Sequence, residues 1–233
     1  ATISPIFFLI GIFLNTLFFA SERRRYHWLS LATTYLGRCF CLILNIQIKI
    51  VGERQTEPGM LIVANHVGSP DIFVLAACFQ ACFVSKLELR NWPLLGLLTR
   101  LGATLFVDRS RKHEVKFTIE EIRNRLESGI SVVLFPEAGV TNGVGIKPFK
   151  TSHFESALLA HRPVLPVLIQ YNDGHTPSIA CWWDTSFFRH FHMLLKNPRL
   201  DVTVTIFPPL IGQDRRYLAE ESFRLLKEKH EGE

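Results

Sequence analysis

The sequence lacks the cysteine pattern of a disulfide-rich or zinc-binding protein. Its 233 residues include five cysteines, an odd number without paired Cys-x-x-Cys or histidine spacing. We therefore predict neither a disulfide framework nor a metal site, and we expect no cofactor. This usage fits a domain that faces a reducing cytoplasm.

Internal repeats, low-complexity tracts and Gly/Ser linkers are also missing, and the length suits one α/β domain with an appendage. We predict an N-terminal hydrophobic helical membrane element at residues 1–50 and an α/β domain at residues 51–233. No Gly-x-Ser-x-Gly elbow surrounds Ser69, which disfavours a serine hydrolase.

Charge is absent from residues 5–20, a mostly apolar run about as long as a short membrane span or re-entrant helix. Arginines follow the run at 23–25, whereas a cleaved signal peptide carries its basic residues before the apolar stretch. A second apolar stretch, residues 29–48, contains polar positions and indicates a helix at the lipid interface. The alternative is that both stretches are core helices of a soluble protein.

The net charge of +5 and the pI near 9.1 favour contact with the anionic cytoplasmic leaflet. No basic stripe interleaved with aromatic residues is present, so nucleic acid is not a predicted partner. We expect the chain at the inner (cytoplasmic) membrane, with its α/β domain facing the cytoplasm.

Short β-branched runs alternate with helical patterns from about residue 46 onward, which favours a mostly parallel central sheet flanked by helices. The strand candidates are residues 46–51, 60–64, 82–85, 104–107, 131–135, 164–169 and 202–207. Between them, an apolar stripe from Val115 to Leu126 indicates an amphipathic scaffold helix.

Residues 64–71, Ala-Asn-His-Val-Gly-Ser-Pro-Asp, lie where a strand candidate ends and a helix begins. We predict Ser69 as the N-cap and Pro70 as the first helical residue, so that Asp71 can fold back toward His66. An Asp bonded to one imidazole nitrogen leaves the other free to take a proton, which makes His66 a candidate general base. About a quarter of such chains would contain this spacing by chance, so a structural pair is the alternative.

Charged residues follow three further strand candidates. Arg109 could grip a phosphate or carboxylate at a strand end, or it could pair with Asp108 or Glu114 on the solvated surface. Lys86 carries the same two interpretations. Glu137 could hold an acceptor hydroxyl, or it could accept backbone N–H bonds within its own loop.

Pro166 lies within a strand candidate, which predicts an edge position or a strand end.

In this order, the segments resemble the glycerolipid acyltransferase superfamily, specifically its PlsC-type 1-acylglycerol-3-phosphate acyltransferases. Residues 65–71 match the Asn-His-x-Ser-x-x-Asp motif, and residues 102–109 match Gly-x-x-Phe-Val-Asp-Arg. Residues 135–143 match the Phe-Pro-Glu-Gly block, and residues 164–167 match the Pro-containing strand. The resemblance covers roughly residues 52–208.

The resemblance implies a catalytic dyad of His66 and Asp71 and an N-terminal two-helix element that docks on the membrane. It implies transfer of a fatty acyl chain from acyl-CoA or acyl-carrier protein to a lysolipid such as 1-acylglycerol-3-phosphate, giving phosphatidic acid. The expected substrate-binding positions are Asn65, Gly68, Ser69, Lys86, Arg109, Glu137, Ala138, Gly139 and Lys150. We expect backbone N–H groups near Gly68 and the helix start to stabilise the oxyanion.

Two departures from the family pattern bear on the acceptor. Gly68 stands where the family often has Ser, and Ala138 replaces a Gly with no Arg following before Lys147. Lys147 and Lys150 could supply the missing charge. Residues 141–143 and 147–157 are similar to those of family members that act on lyso-ornithine lipid, which is the alternative acceptor. Further alternatives are another lysophospholipid, a thioesterase, a transacylase and a non-catalytic lipid-binding homologue.

Overall fold

One seven-stranded sheet organises the part of the chain that the computed structural model describes, residues 21–55, 57–87, 104–107, 112–182 and 185–232. The strands run in the order β1-β7-β6-β2-β5-β3-β4, and β6 with β7 is the antiparallel pair among parallel ones. The predicted strands and the mostly parallel sheet are confirmed. The strands are β1 Ile46–Val51, β2 Leu61–Ala64, β3 Ala81–Lys86, β4 Leu105–Val107, β5 Ser131–Leu134, β6 Val164–Tyr171 and β7 Leu200–Ile206.

Helices cover both faces of this sheet. They are α1 Glu22–Ile43, α2 Pro70–Cys78, α3 Lys112–Glu127, α4 Glu155–Leu159, α5 Phe187–Lys196 and α6 Arg215–Glu231, with a 3-10 turn at Ser152–Phe154 before α4. Every residue of the adjacent strands β2 and β5 is buried, as the runs Leu-Ile-Val-Ala and Ser-Val-Val-Leu require of a sheet covered on both sides.

The core is divided between the two faces of the sheet. On one face, α1, α2 and α5 contribute buried side chains such as Cys41, Phe73 and Leu194. On the other face, α3, α4 and α6 contribute Ile122, Ala157 and others. The predicted apolar stripe of α3 faces this core, with Ile122 and Leu126 fully buried and Val115 and Ile119 half-buried.

Helix α1 packs tightly on α2. A Cβ atom added to Gly37 would lie 2.7 Å from the Cβ of Ala76 and 2.9 Å from the carbonyl oxygen of Phe73, so the two helix backbones approach closely here. The second apolar stretch forms this helix only as far as Ile43. The residues from Ile46 onward form β1, so the sheet begins five residues before the boundary predicted at residue 51.

No helix within the described residues is long and apolar enough to cross a bilayer. The apolar run at residues 5–20, for which a membrane span or re-entrant helix is predicted, lies outside the described residues.

Pro166 is the third residue of an interior strand, whereas an edge position or a strand end is predicted. Strand β6 lies between β2 and β7, and Pro166 pairs with Val63 of β2. The antiparallel register with β7 begins one residue later, at Val167, and the N–H of Phe207 donates to the Pro166 carbonyl at 3.1 Å. The proline is tolerated because it sits where this ladder starts.

Candidate active site

The loop between β2 and α2 brings the imidazole of His66 to the carboxylate of Asp71. His66 Nδ1 lies 2.8 Å from Asp71 Oδ2, and Pro70 is the first residue of α2, as predicted. Asp71 is fully buried, whereas the His66 side chain is 17% exposed. The predicted contact is confirmed, and it leaves Nε2 as the ring nitrogen for a substrate hydroxyl.

Asp71 is held by three further hydrogen bonds. The backbone N–H groups of Val67 and Gly68 donate to Oδ2 at 2.6 and 3.0 Å, and the hydroxyl of Tyr171 donates to Oδ1 at 2.7 Å. These donors compensate for the loss of water around a buried carboxylate. Burial and the negative charge of Asp71 raise the pKa of Tyr171, so its hydroxyl stays protonated and remains a donor.

The expectation that N–H groups near Gly68 and the helix start stabilise an oxyanion stays a prediction. The N–H groups of Val67 and Gly68 themselves are bonded to the Asp71 carboxylate. Gly68 also has a packing role, because a Cβ atom at this position would collide with the carbonyl oxygen of Ala180. The Ser that the family often has here would not fit this backbone contact.

Ser69 is the N-cap residue of α2, as predicted, but its side chain makes no capping hydrogen bond. Ser69 has helical dihedral angles, φ −62° and ψ −31°. Its hydroxyl lies 3.1 Å from Nε2 of His190, a fully buried residue of α5.

Glu137 follows β5 and binds backbone at both of its carboxylate oxygens. Oε1 accepts the N–H of His66 at 2.7 Å, and Oε2 accepts the N–H of Lys147 at 2.8 Å. Burial raises the pKa of Glu137, and these two N–H bonds oppose the rise. The contacts are those of the loop-supporting alternative, and they tie the Glu137 loop to the backbone of His66.

Two other residues near Glu137 hold His66 in place. The ring of Phe135 stacks on the His66 imidazole, with centroids 4.1 Å apart and planes inclined by 16°. The N–H of Thr141 donates to the His66 carbonyl at 2.8 Å. The imidazole is therefore fixed by its ring face, its Nδ1 atom and its backbone.

The remaining positions of the Glu137 loop differ in their surroundings. Ala138 has a positive φ of 62°, which explains why the family places Gly at this position. Gly139 is half-buried, with nothing within 4 Å of an added Cβ atom. Lys150 donates its N–H to the carbonyl of Pro136 at 3.0 Å and is exposed. Nζ of Lys147 lies 3.3 Å from the Val140 carbonyl.

Asn65 extends the sheet beyond the end of β2. Its side-chain amide donates to the carbonyl of Ile169 at 2.9 Å and accepts the N–H of Ile169 at 2.8 Å. Asn65 thus holds the start of the loop that carries His66 against β6. Its predicted contact with substrate stays a prediction.

The structure does not test two of the predicted binding residues. Arg109 lies outside the described residues. Lys86 ends β3, where its backbone pairs with Val107 of β4. The end of β4 is three strands from β2, a separation of about 14 Å at the usual strand spacing.

Four residues that support the site were not predicted from the sequence to do so: Tyr171, Phe135, Thr141 and His190. Tyr171 ends β6, next to β2 in the sheet, so the strand pattern carried a signal for it. His190 lies 121 residues from Ser69 along the chain, and no local pattern predicts that contact.

A cavity of about 240 Å³ lies at the opposite end of the central strands, lined by residues that include His27, Gln80, Met60 and Ser131. Met60 and Ser131 stand at the beginnings of β2 and β5, whereas His66 follows the end of β2. The cavity therefore has no part in the site around His66.

The chain is similar in sequence to known acyltransferases. A family model described as Acyltransferase matches residues 46–170. Lyso-ornithine lipid O-acyltransferases of Rhizobium meliloti and Brucella abortus are 33% and 31% identical, over 81% and 82% of this chain and 70% and 79% of their own lengths. The 1-acyl-sn-glycerol-3-phosphate acyltransferase of Neisseria meningitidis is 34% identical over 61% of this chain and 56% of its own length.

The fold also matches a solved structure. The crystal structure of the 1-acyl-sn-glycerophosphate acyltransferase PlsC from Thermotoga maritima superposes with a TM-score of 0.69. The match covers 99% of this chain and 91% of that chain at 18% sequence identity, and it confirms the α/β architecture.

Proposed function

The chain belongs to the Acyltransferase family, and we propose that it transfers a fatty acyl group from a thioester to the free hydroxyl of a lysolipid. The observation that carries this proposal is the 2.8 Å contact between His66 Nδ1 and a buried, fully hydrogen-bonded Asp71. An imidazole held in this way presents Nε2 as a general base.

The reaction needs one base and no covalent enzyme intermediate. Nε2 of His66 takes the proton of the lysolipid hydroxyl while the hydroxyl oxygen attacks the thioester carbonyl carbon. The C–S bond then breaks, the ester forms, and the imidazolium returns the proton to the departing thiolate. A thiol with a pKa of about 8.5 is a good leaving group, so base catalysis and orientation supply much of the acceleration.

We propose a lyso-ornithine lipid as the preferred acceptor. The relatives with that name match more of this chain than the Neisseria enzyme does, and residues 138–147 contain no arginine to bind a phosphate. The second candidate is 1-acylglycerol-3-phosphate. It is supported by the Asp108-Arg109 pair of the second motif and by the Neisseria relative.

The thioester is acyl-CoA or acyl-carrier protein, and we place the enzyme at the cytoplasmic surface of the inner membrane. Trp28, Tyr35 and Leu42 support this location because they recur every seven residues along α1 and are exposed. Tryptophan and tyrosine are the aromatic residues that favour the level of the lipid headgroups.

The test incubates the purified full chain with labelled acyl-CoA or acyl-carrier protein, each with lyso-ornithine lipid, with 1-acylglycerol-3-phosphate and without lysolipid. We expect acylated lysolipid, identified by mass spectrometry, and little free fatty acid. Free fatty acid formed equally without lysolipid would indicate a thioesterase instead.

Variants test the assignment of the base. His66→Ala and Asp71→Asn should lower turnover by at least about 1000-fold, in the range seen when a general base or its orienting carboxylate is lost. His175→Ala, at an exposed loop histidine, should keep normal turnover. Normal turnover of His66→Ala would refute the mechanism.

A further inference from the structure

Helix α5 exposes large apolar side chains on the surface of the domain. Phe188 is 74% exposed and Leu195 is 48% exposed. The two residues are seven positions apart, so they lie on one face of the helix. The opposite face carries His190 and Leu194, which are buried against the sheet.

Basic side chains flank this apolar face. Arg189, His192 and Lys196 are exposed, and residues 187–196 contain no Asp or Glu. A helix with an apolar face beside cationic residues is the type that lies flat in the headgroup region of a bilayer. Each basic residue near an anionic lipid surface strengthens binding roughly fivefold.

Contacts join α5 to the loop between β2 and α2, which carries His66. Nε2 of His190 lies 3.1 Å from the hydroxyl of Ser69, two residues before Asp71. The ring of Phe187 meets that of Trp182 edge to face at 5.6 Å, and the N–H of Trp182 donates to the carbonyl of Val67 at 3.2 Å. These contacts join α5 to the loop that carries His66.

The end of α1 also exposes apolar side chains, and the residue that follows it closely is hydrogen-bonded to the segment after α5. The side-chain amide of Asn45 donates to the carbonyl of Pro198, and the N–H of Leu200 donates to the carbonyl of Asn45 at 3.1 Å. Leu42 and Ile43, just before this junction, are exposed. Both helices cover the same face of the sheet.

We propose that α5 is a second lipid-contacting helix, which places Phe188 and Leu195 among the headgroups of an anionic bilayer. It thereby holds the His66 site at the depth where a lysolipid presents its hydroxyl. This inference rests on the proposed function only in taking a membrane lysolipid as the substrate. The cationic residues of α5 favour a lipid surface over a second copy of this chain, whose own net charge is +5.

The test places a photoreactive benzoylphenylalanine at position 188 or, as a matched control, at position 117 of the full chain. Phe117 is also an exposed phenylalanine on a helix, but α3 covers the opposite face of the sheet. After irradiation with phosphatidylglycerol-containing vesicles, we expect lipid adducts at position 188 and none at position 117, measured by mass spectrometry. Equal adducts at both positions, no lipid adduct at position 188, or cross-links to protein there would overturn the proposal.

Vesicle binding supplies a second measurement that does not depend on turnover. Phe188→Ser should lower partition onto these vesicles by about tenfold, which is the loss expected for part of a buried phenylalanine side chain. Phe117→Ser should leave partition unchanged, and equal loss in both variants would overturn the proposal. If instead the chain is no acyltransferase, product would be missing in every variant while the adducts at position 188 still form.

Discussion

The hydroxyl of Tyr171 holds one oxygen of Asp71 so that the other faces His66. Oδ1 accepts the phenol proton at 2.7 Å, while Oδ2 accepts the imidazole and two backbone N–H groups. Because both carboxylate oxygens accept hydrogen bonds, the carboxylate has little freedom to rotate away from the imidazole. Tyr171 therefore acts through Asp71 and does not itself touch the reacting atoms.

Tyr171→Phe should lower kcat by about tenfold, because a buried carboxylate oxygen that loses its donor costs roughly 1–3 kcal/mol. KM for the lysolipid should change little. Tyr217→Phe, at an exposed tyrosine of α6, is the control. A normal kcat for Tyr171→Phe would contradict this role.

Ala138 keeps a side chain in a backbone conformation that favours glycine, with φ at 62°. Ala138→Gly should raise stability by about 1 kcal/mol, since the left-handed region costs an L-residue roughly that much. The expected rise in Tm is about 2–4 °C for a chain of this size. Ala160→Gly, where φ is −82°, should lower Tm instead. A fall in Tm for Ala138→Gly would contradict the explanation.

The contact between His66 and Asp71 could be predicted because five residues and a helix start bring the two together locally. The bonding of Gly68 and Ser69 could not. Gly68 is constrained by Ala180, and Ser69 meets His190, and both partners come from distant parts of the chain. Residue types alone do not indicate which N–H groups a carboxylate will occupy.

Among the helices, the contact of α1 with α2 depends on a single glycine. Gly37→Ala should lower stability by about 1–3 kcal/mol, because the added methyl would overpack the contact with Ala76. The sign is diagnostic, since Gly to Ala inside a helix ordinarily stabilises it. Gly145→Ala, with nothing within 4 Å of the added atom, is the control in thermal unfolding. A higher Tm for Gly37→Ala would show that the helices can separate.

Strand positions could be predicted because β-branched runs are local signals. Strand direction could not. β7 runs antiparallel to β6. Its sequence, Leu-Asp-Val-Thr-Val-Thr-Ile, alternates between apolar and polar residues, and a parallel strand could show the same alternation. The sequence also predicts an edge or a strand end for Pro166. No local pattern shows that the pairing of β6 with β7 begins at Val167, one residue after the proline.

For the whole molecule, the net charge of +5 adds a long-range attraction to the proposed lipid contact of α5 and α1. Raising NaCl from about 0.1 M to 1 M shortens the Debye length from about 10 Å to 3 Å. We expect binding to phosphatidylglycerol-containing vesicles to fall by at least about tenfold over this range. Binding to neutral phosphatidylcholine vesicles should change little. Equal loss on both vesicle types would argue against an electrostatic contribution.

The loops that carry His66 and Glu137 follow β2 and β5, and Tyr171 ends β6, so all three residues stand at the ends of adjacent central strands. Amide protons of such buried strands exchange with solvent only when most of the domain opens, whereas the flanking strands β1 and β4 can fray at lower free energy. Hydrogen exchange should therefore find the base and its carboxylate in the slowest-exchanging part of the protein. Opening of the edge strands, which could admit a lipid, would leave the contact between His66 and Asp71 intact.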